Sequence, residues 1–101
     1  MKPERIQSKH SGDADQAVED LLERFPEWVL DGDGRSVVRR WRSPTRRAAT
    51  ALVEWLCELA DAVGSDPEIS LRLNQVEARL SLATVERDAS LALVAAVEGA
   101  V

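Results

Sequence analysis

Apolar positions recur at helical spacing early in the chain: Val18, Leu21, Leu22 and Phe25 share one face, and Asp13 or Asp15 supplies an N-cap. Pro26 ends that predicted helix. "EWVLDGDGRSVVRRW" then reads as a hairpin. Trp28 and Leu30 fall on one face, Asp31-Gly32-Asp33-Gly34 carries turn chemistry, and the returning strand runs from Ser36 to Arg42. Ser43 as N-cap with Pro44 at the first helical position predicts a long helix that Gly64 stops. Its stripe holds Ala48, Ala49, Leu52, Leu56, Leu59, Ala60 and Val63.

Beyond Pro67 the period changes to two. Ile69, Leu71 and Leu73 alternate; after Asn74-Gln75, so do Val76, Ala78, Leu80 and Leu82. Thr84 opens a last predicted helix, with Glu86 and Asp88 suited to its N-terminal dipole. From Leu91 to Val97 it is apolar nearly all round, which predicts a helix sandwiched in the domain or lying in an oligomer interface. The fold class that follows is α+β: a four-stranded antiparallel sheet with three helices on one face, in the order α-β-β-α-β-β-α. Residues 1–14 are polar and read as a disordered tail, leaving 15–101 as a single domain.

Composition narrows the function classes. A net charge of -5 argues against general nucleic-acid binding. No apolar run approaches membrane-spanning length, and the N-terminus has no hydrophobic signal core. One cysteine, Cys57, excludes an internal disulfide and fits a reducing cytoplasm. It sits mid-helix, where burial is expected. The only histidine, His10, lies in the tail, so no imidazole is at hand to activate it. There is no metal-ligand cluster, Gly-rich phosphate loop or serine elbow, and no cofactor is expected.

Two features remain. Arg35, Arg39, Arg40, Arg42, Arg46 and Arg47 follow one another with no acid between them. They predict either a solvated strand face or a patch that binds an acidic partner, since guanidinium matches carboxylate in a bidentate fork. Arg46 and Arg47 lie in the first turn of the long helix, where cations oppose the dipole. The second feature is "AVGSDPEIS", a helix stop followed by Ser65 and Asp66. Both are good turn residues. Asp66 would serve as a general base only with a raised pKa, which needs burial and no nearby cation.

The element order, Trp28, the hairpin "LDGDGRSVVRRW", "ELADAVG", Pro67 and "LNQVEARLSL" together resemble the pterin-4a-carbinolamine dehydratase family over roughly residues 15–100. Trp28 and Pro67, 39 positions apart, match the family's Trp-to-Pro spacing. The resemblance implies two adjacent histidines before that proline and a third at the end of the last strand, which bind and dehydrate a 4a-hydroxy-tetrahydropterin. Here those positions hold Ser65, Asp66 and Ala83, and the following loop is shorter than in the family. Histidine suits a reaction that needs a proton donor and an acceptor near neutrality, and none is present at these positions.

The expectation is therefore a vestigial active site with no catalytic residues, on a scaffold that binds a protein. Histidine-deficient members of the family assist RuBisCO assembly, one of them with α-carboxysomes. That resemblance implies the RuBisCO large subunit as partner and a cytoplasmic, carboxysome-associated location. The arginine run would be the contact surface, and a homodimer is expected. The alternative is a divergent pterin dehydratase that uses Asp66.

Overall fold

The computed structural model describes residues 16–99. The tail, His10 and the caps Asp13 and Asp15 lie outside the described residues. Helix α1 covers residues 16–24 within them. Then follow β1 (Val29–Leu30), β2 (Ser36–Arg42), α2 (Arg46–Val63), β3 (Glu68–Arg72), β4 (Gln75–Ser81) and α3 (Arg87–Gly99). The four strands form one antiparallel sheet in the order β1-β2-β4-β3, and the α+β architecture stands as the sequence predicts.

Strand register sorts the sheet into two faces, because side chains alternate at period two. Val37, Arg39 and Trp41 oppose Leu80, Ala78 and Val76, which oppose in turn Ile69 and Leu71 on β3. This inner face packs in one core with Val18 of α1, Ala49, Leu56 and Ala60 of α2, and Leu93, Val94 and Val97 of α3. The outer face carries two polar rungs, Arg42–Gln75–Arg72 and Arg40–Glu77–Ser70, and a mixed one, Val29–Val38–Arg79–Glu68, whose Val38 is buried.

Helix ends show which local chemistry prevails. Thr45, not Ser43, caps α2: its Oγ1 accepts from the Ala48 N–H at 3.1 Å. Ser43 is buried and engaged elsewhere. Its N–H donates to the Asn74 carbonyl at 2.9 Å, and its carbonyl accepts from Asn74 Nδ2 at 2.7 Å. A cross-strand pin therefore takes Ser43 and moves the helix start two residues on. Gly64 ends α2 in the left-handed conformation at φ 75°, as predicted, and the Ser65 N–H closes the cap on the Ala60 carbonyl. The last helix begins at Arg87 rather than Thr84, because residues 84–86 form a turn whose Glu86 carbonyl accepts from Ser90 N–H.

The turn between β3 and β4 is Leu73-Asn74, one residue earlier than the pattern suggests, since Arg72 pairs with Gln75. Leu73 adopts φ 56°, the left-handed region that glycine fills in such turns. A leucine there costs about 1–2 kcal/mol. The all-round apolarity of α3 also resolves. Its large residues Leu93, Val94 and Val97 are buried within the chain, and its exposed side carries Ala92 and Ala95. Cys57 is exposed on α2, contrary to the expected burial, because it lies beside the buried stripe of Ala49, Leu56 and Ala60 and not within it.

Candidate functional site

The turn after α2 brings Ser65 and Asp66 against the connection from β4 to α3. They line a hollow of about 80 Å³ with Gly64, Ser81, Glu86 and Ser90. The connection is stitched: Ser90 Oγ donates to the Ser81 carbonyl at 2.6 Å, the Ala83 N–H donates to Ser81 Oγ at 3.1 Å, and Arg87 Nε donates to the Leu82 carbonyl at 3.3 Å. At roughly 30 Å³ of liquid volume per water, the hollow has room for two or three waters. Sites for drug-sized ligands run to about 300–1,000 Å³. Asp66 is exposed. Ala83, the third position of the sequence-derived site, does not join the other two. It borders a neighbouring cleft of about 810 Å³ that shares Ser81 with the hollow and is lined by Val18, Leu22, Leu30, Leu82, Arg35 and Arg87. Sequence reasoning missed this cleft because its walls come from five separate segments. Among the described residues no three side chains are grouped to hold a metal ion.

The arginine run does not form one patch. Arg35 precedes β2 at the cleft rim. Arg39 belongs to the inner face, and its use as an accessible partner contact is corrected here. Its side chain is 17% exposed and forms an ion pair with Glu98 in the last turn of α3. The Arg39 guanidinium also lies 4.8 Å from the Trp41 ring centroid. Trp28 Nε1 donates to the same Glu98 carboxylate at 3.0 Å, and Trp28 meets Trp41 edge-on at 6.0 Å. Trp28 is buried and Trp41 half-buried, which accounts for two of the three tryptophans. Arg39 Nε is buried with no hydrogen-bond partner among the described residues. Glu98 sits where a carboxylate opposes the helix dipole, and Arg39 offsets it.

Arg40, its sequence neighbour, points to the outer face and pairs with Glu77 at 2.9 Å. Arg42, Arg46 and Arg47 are exposed, the last two in the first turn of α2 with no acid beside them. Further along the outer face, Arg79 donates to Asp31 at 2.5 Å and lies 3.8 Å from Glu77 and 3.9 Å from Glu68. The hydrogen bond from Arg79 holds the Asp31 carboxyl below its ordinary value of 3.8, with help from the Gly32 N–H. The same bond raises Arg79. Neither Asp31, Arg79 nor Glu98 is singled out by the sequence reading. The strand alternation already placed Arg39 with Val37 and Trp41, so that signal was available; the contact with Glu98, 59 residues away, was not.

Comparison with known proteins fits this geometry to a family. Residues 12–93 match the family model described as "Pterin 4 alpha carbinolamine dehydratase". A protein of Halorhodospira halophila named "Putative pterin-4-alpha-carbinolamine dehydratase" is 32% identical over 71 residues, 70% of this chain and 65% of that protein. Proteins with the same printed name from Thermomicrobium roseum and Chloroflexus aurantiacus are 33% and 36% identical, over 77% and 76% of this chain and 86% and 84% of theirs. The crystal structure of a transcriptional coactivator/pterin dehydratase from Brucella melitensis superposes with a TM-score of 0.69 at 15% identity, covering 81% of this chain and 89% of that one. That last likeness concerns the fold.

Proposed function

The chain belongs to the pterin-4a-carbinolamine dehydratase family, and from that premise we propose that it is a non-catalytic, protein-binding member. One observation carries the reading. The hollow at Ser65 and Asp66 measures about 80 Å³, and its polar side chains are carboxylates and hydroxyls beside Val85 and Ala89, so it lacks both the room for a bicyclic ring and an imidazole for proton transfer near neutrality. The test is dehydration of a 4a-hydroxy-tetrahydropterin by the purified chain, beside Asp66→Ala.

The finer reading of the partner rests on the sequence resemblance alone. We propose the RuBisCO large subunit, and with it a homodimer in a cytoplasmic, carboxysome-associated setting. What supports this is serine, aspartate and alanine at 65, 66 and 83 and a short β4–α3 connection. A pull-down from native lysate with a C-terminal tag enriches the large subunit if the reading holds. Light scattering at twice the monomer mass supports the dimer.

The names of the relatives favour a second reading, a divergent dehydratase that uses Asp66. Saturable turnover lost in Asp66→Ala would establish it.

A further inference from the structure

One corner of the molecule gathers three features. The first is Leu73. It is 72% exposed at the tip of the β3–β4 hairpin, in a left-handed conformation that glycine would hold without strain. Its burial does not repay that strain, because it has little. A strained residue that the core does not use points to a function outside the core.

The second feature is the outermost rung of the sheet's polar face. Arg42 of β2 and Arg72 of β3 flank Gln75, so no acid lies between them. Strands spaced about 4.8 Å apart put the two arginine Cα atoms about 10 Å from each other. Among the described residues, neither guanidinium has a carboxylate within ion-pair distance. A depression of about 520 Å³ opens beside Arg72, Ser70 and Gln75, and at its other end lies the Arg40–Glu77 pair, where the acid is already matched. The third feature is the pin between Asn74 and Ser43, which fixes the hairpin tip against the β2–α2 connection. Arg46 and Arg47 begin α2 just beyond that connection, against the helix dipole.

We propose that this corner is the docking surface, and that its partner is an acidic segment of another protein carrying an apolar side chain for Leu73. This rests on the protein-binding reading above and names the surface and the chemistry of the partner. Arginine favours carboxylate through its planar fork. The net charge of -5 repels an anionic lipid surface or a nucleic acid over the rest of the molecule, whereas a short acidic segment meets only the cationic corner. The strain at Leu73 is retained because a glycine there would remove the apolar anchor. Binding and stability therefore make opposite demands on one residue.

The experiment uses a fluorescein-labelled 20-residue peptide of glutamate with leucine at every third or fourth position. An all-glutamate peptide and one with lysine for glutamate serve as controls, read by anisotropy against the full chain. Saturable binding of the first peptide is expected. Affinity falls about tenfold in Leu73→Gly and in Arg42→Glu/Arg72→Glu, as for loss of an interface anchor. The thermal midpoint of Leu73→Gly rises at the same time, so its loss of binding is not a loss of fold. The proposal is overturned if the peptide does not bind, if the variants bind as well as the parent, or if phosphatidylserine vesicles, single-stranded RNA or a second copy of the chain are held by these residues in preference to the peptide. Pterin turnover by the same preparation would instead count against the protein-binding reading, and Leu73→Gly would leave it unchanged.

Discussion

Arg39 and Arg40 are adjacent in the chain and belong to different environments. Arg39 faces the helices, sits beside Trp28 and Trp41, and neutralises Glu98. Arg40 faces solvent and pairs with Glu77, its side chain 56% exposed. A run of like charges on a strand is therefore not a surface. Period-two alternation divides it between two faces, and each half meets a different dielectric.

The contrast can be tested by deletion. Glu98→Ala leaves the Arg39 guanidinium partly buried without its carboxylate and removes the acceptor of Trp28 Nε1. We expect a loss of about 2–4 kcal/mol in urea unfolding. Arg39→Met with Glu98→Met restores most of it, to within about 1 kcal/mol of the parent, because the cost lies in the orphaned charge. Arg40→Ala costs about 0.5 kcal/mol, as exposed pairs do. Equal losses for Glu98→Ala and Arg40→Ala would break the comparison.

The smallest effect concerns acid. Asp31 titrates below 3.8 in the folded chain because Arg79 donates to it. As the unfolded chain takes up this proton first, the contribution of the pair is intact above about pH 4. It is lost as the pH falls below 3.8 towards the folded value. Unfolding midpoints between pH 5 and pH 2.5 should therefore fall less steeply in Asp31→Asn than in the parent. Parallel curves would remove the outer-face pair from the account.

Much of the fold was legible because its signals are local. Alternation fixed β4, Gly64 fixed the end of α2, and Asp31-Gly32-Asp33-Gly34 fixed the first turn. The departures come where a distant residue decides. Asn74 claims Ser43, so Thr45 becomes the cap; Glu98 claims Arg39, so the arginine run loses a member from its surface. The candidate site was legible as chemistry, in the absence of histidine at 65, 66 and 83, and not as shape. That Ser65 and Asp66 share a hollow while Ala83 opens onto another cleft depends on how the β4–α3 connection folds.

The central claim is that this member of the family binds without catalysing. It is tested most directly by following the dehydration of 4a-hydroxy-tetrahydropterin in the presence of increasing amounts of the purified chain. The account predicts a rate equal to the uncatalysed background, the same for the parent and for Asp66→Ala. A rate that rises with protein, saturates with substrate and disappears in Asp66→Ala would contradict it.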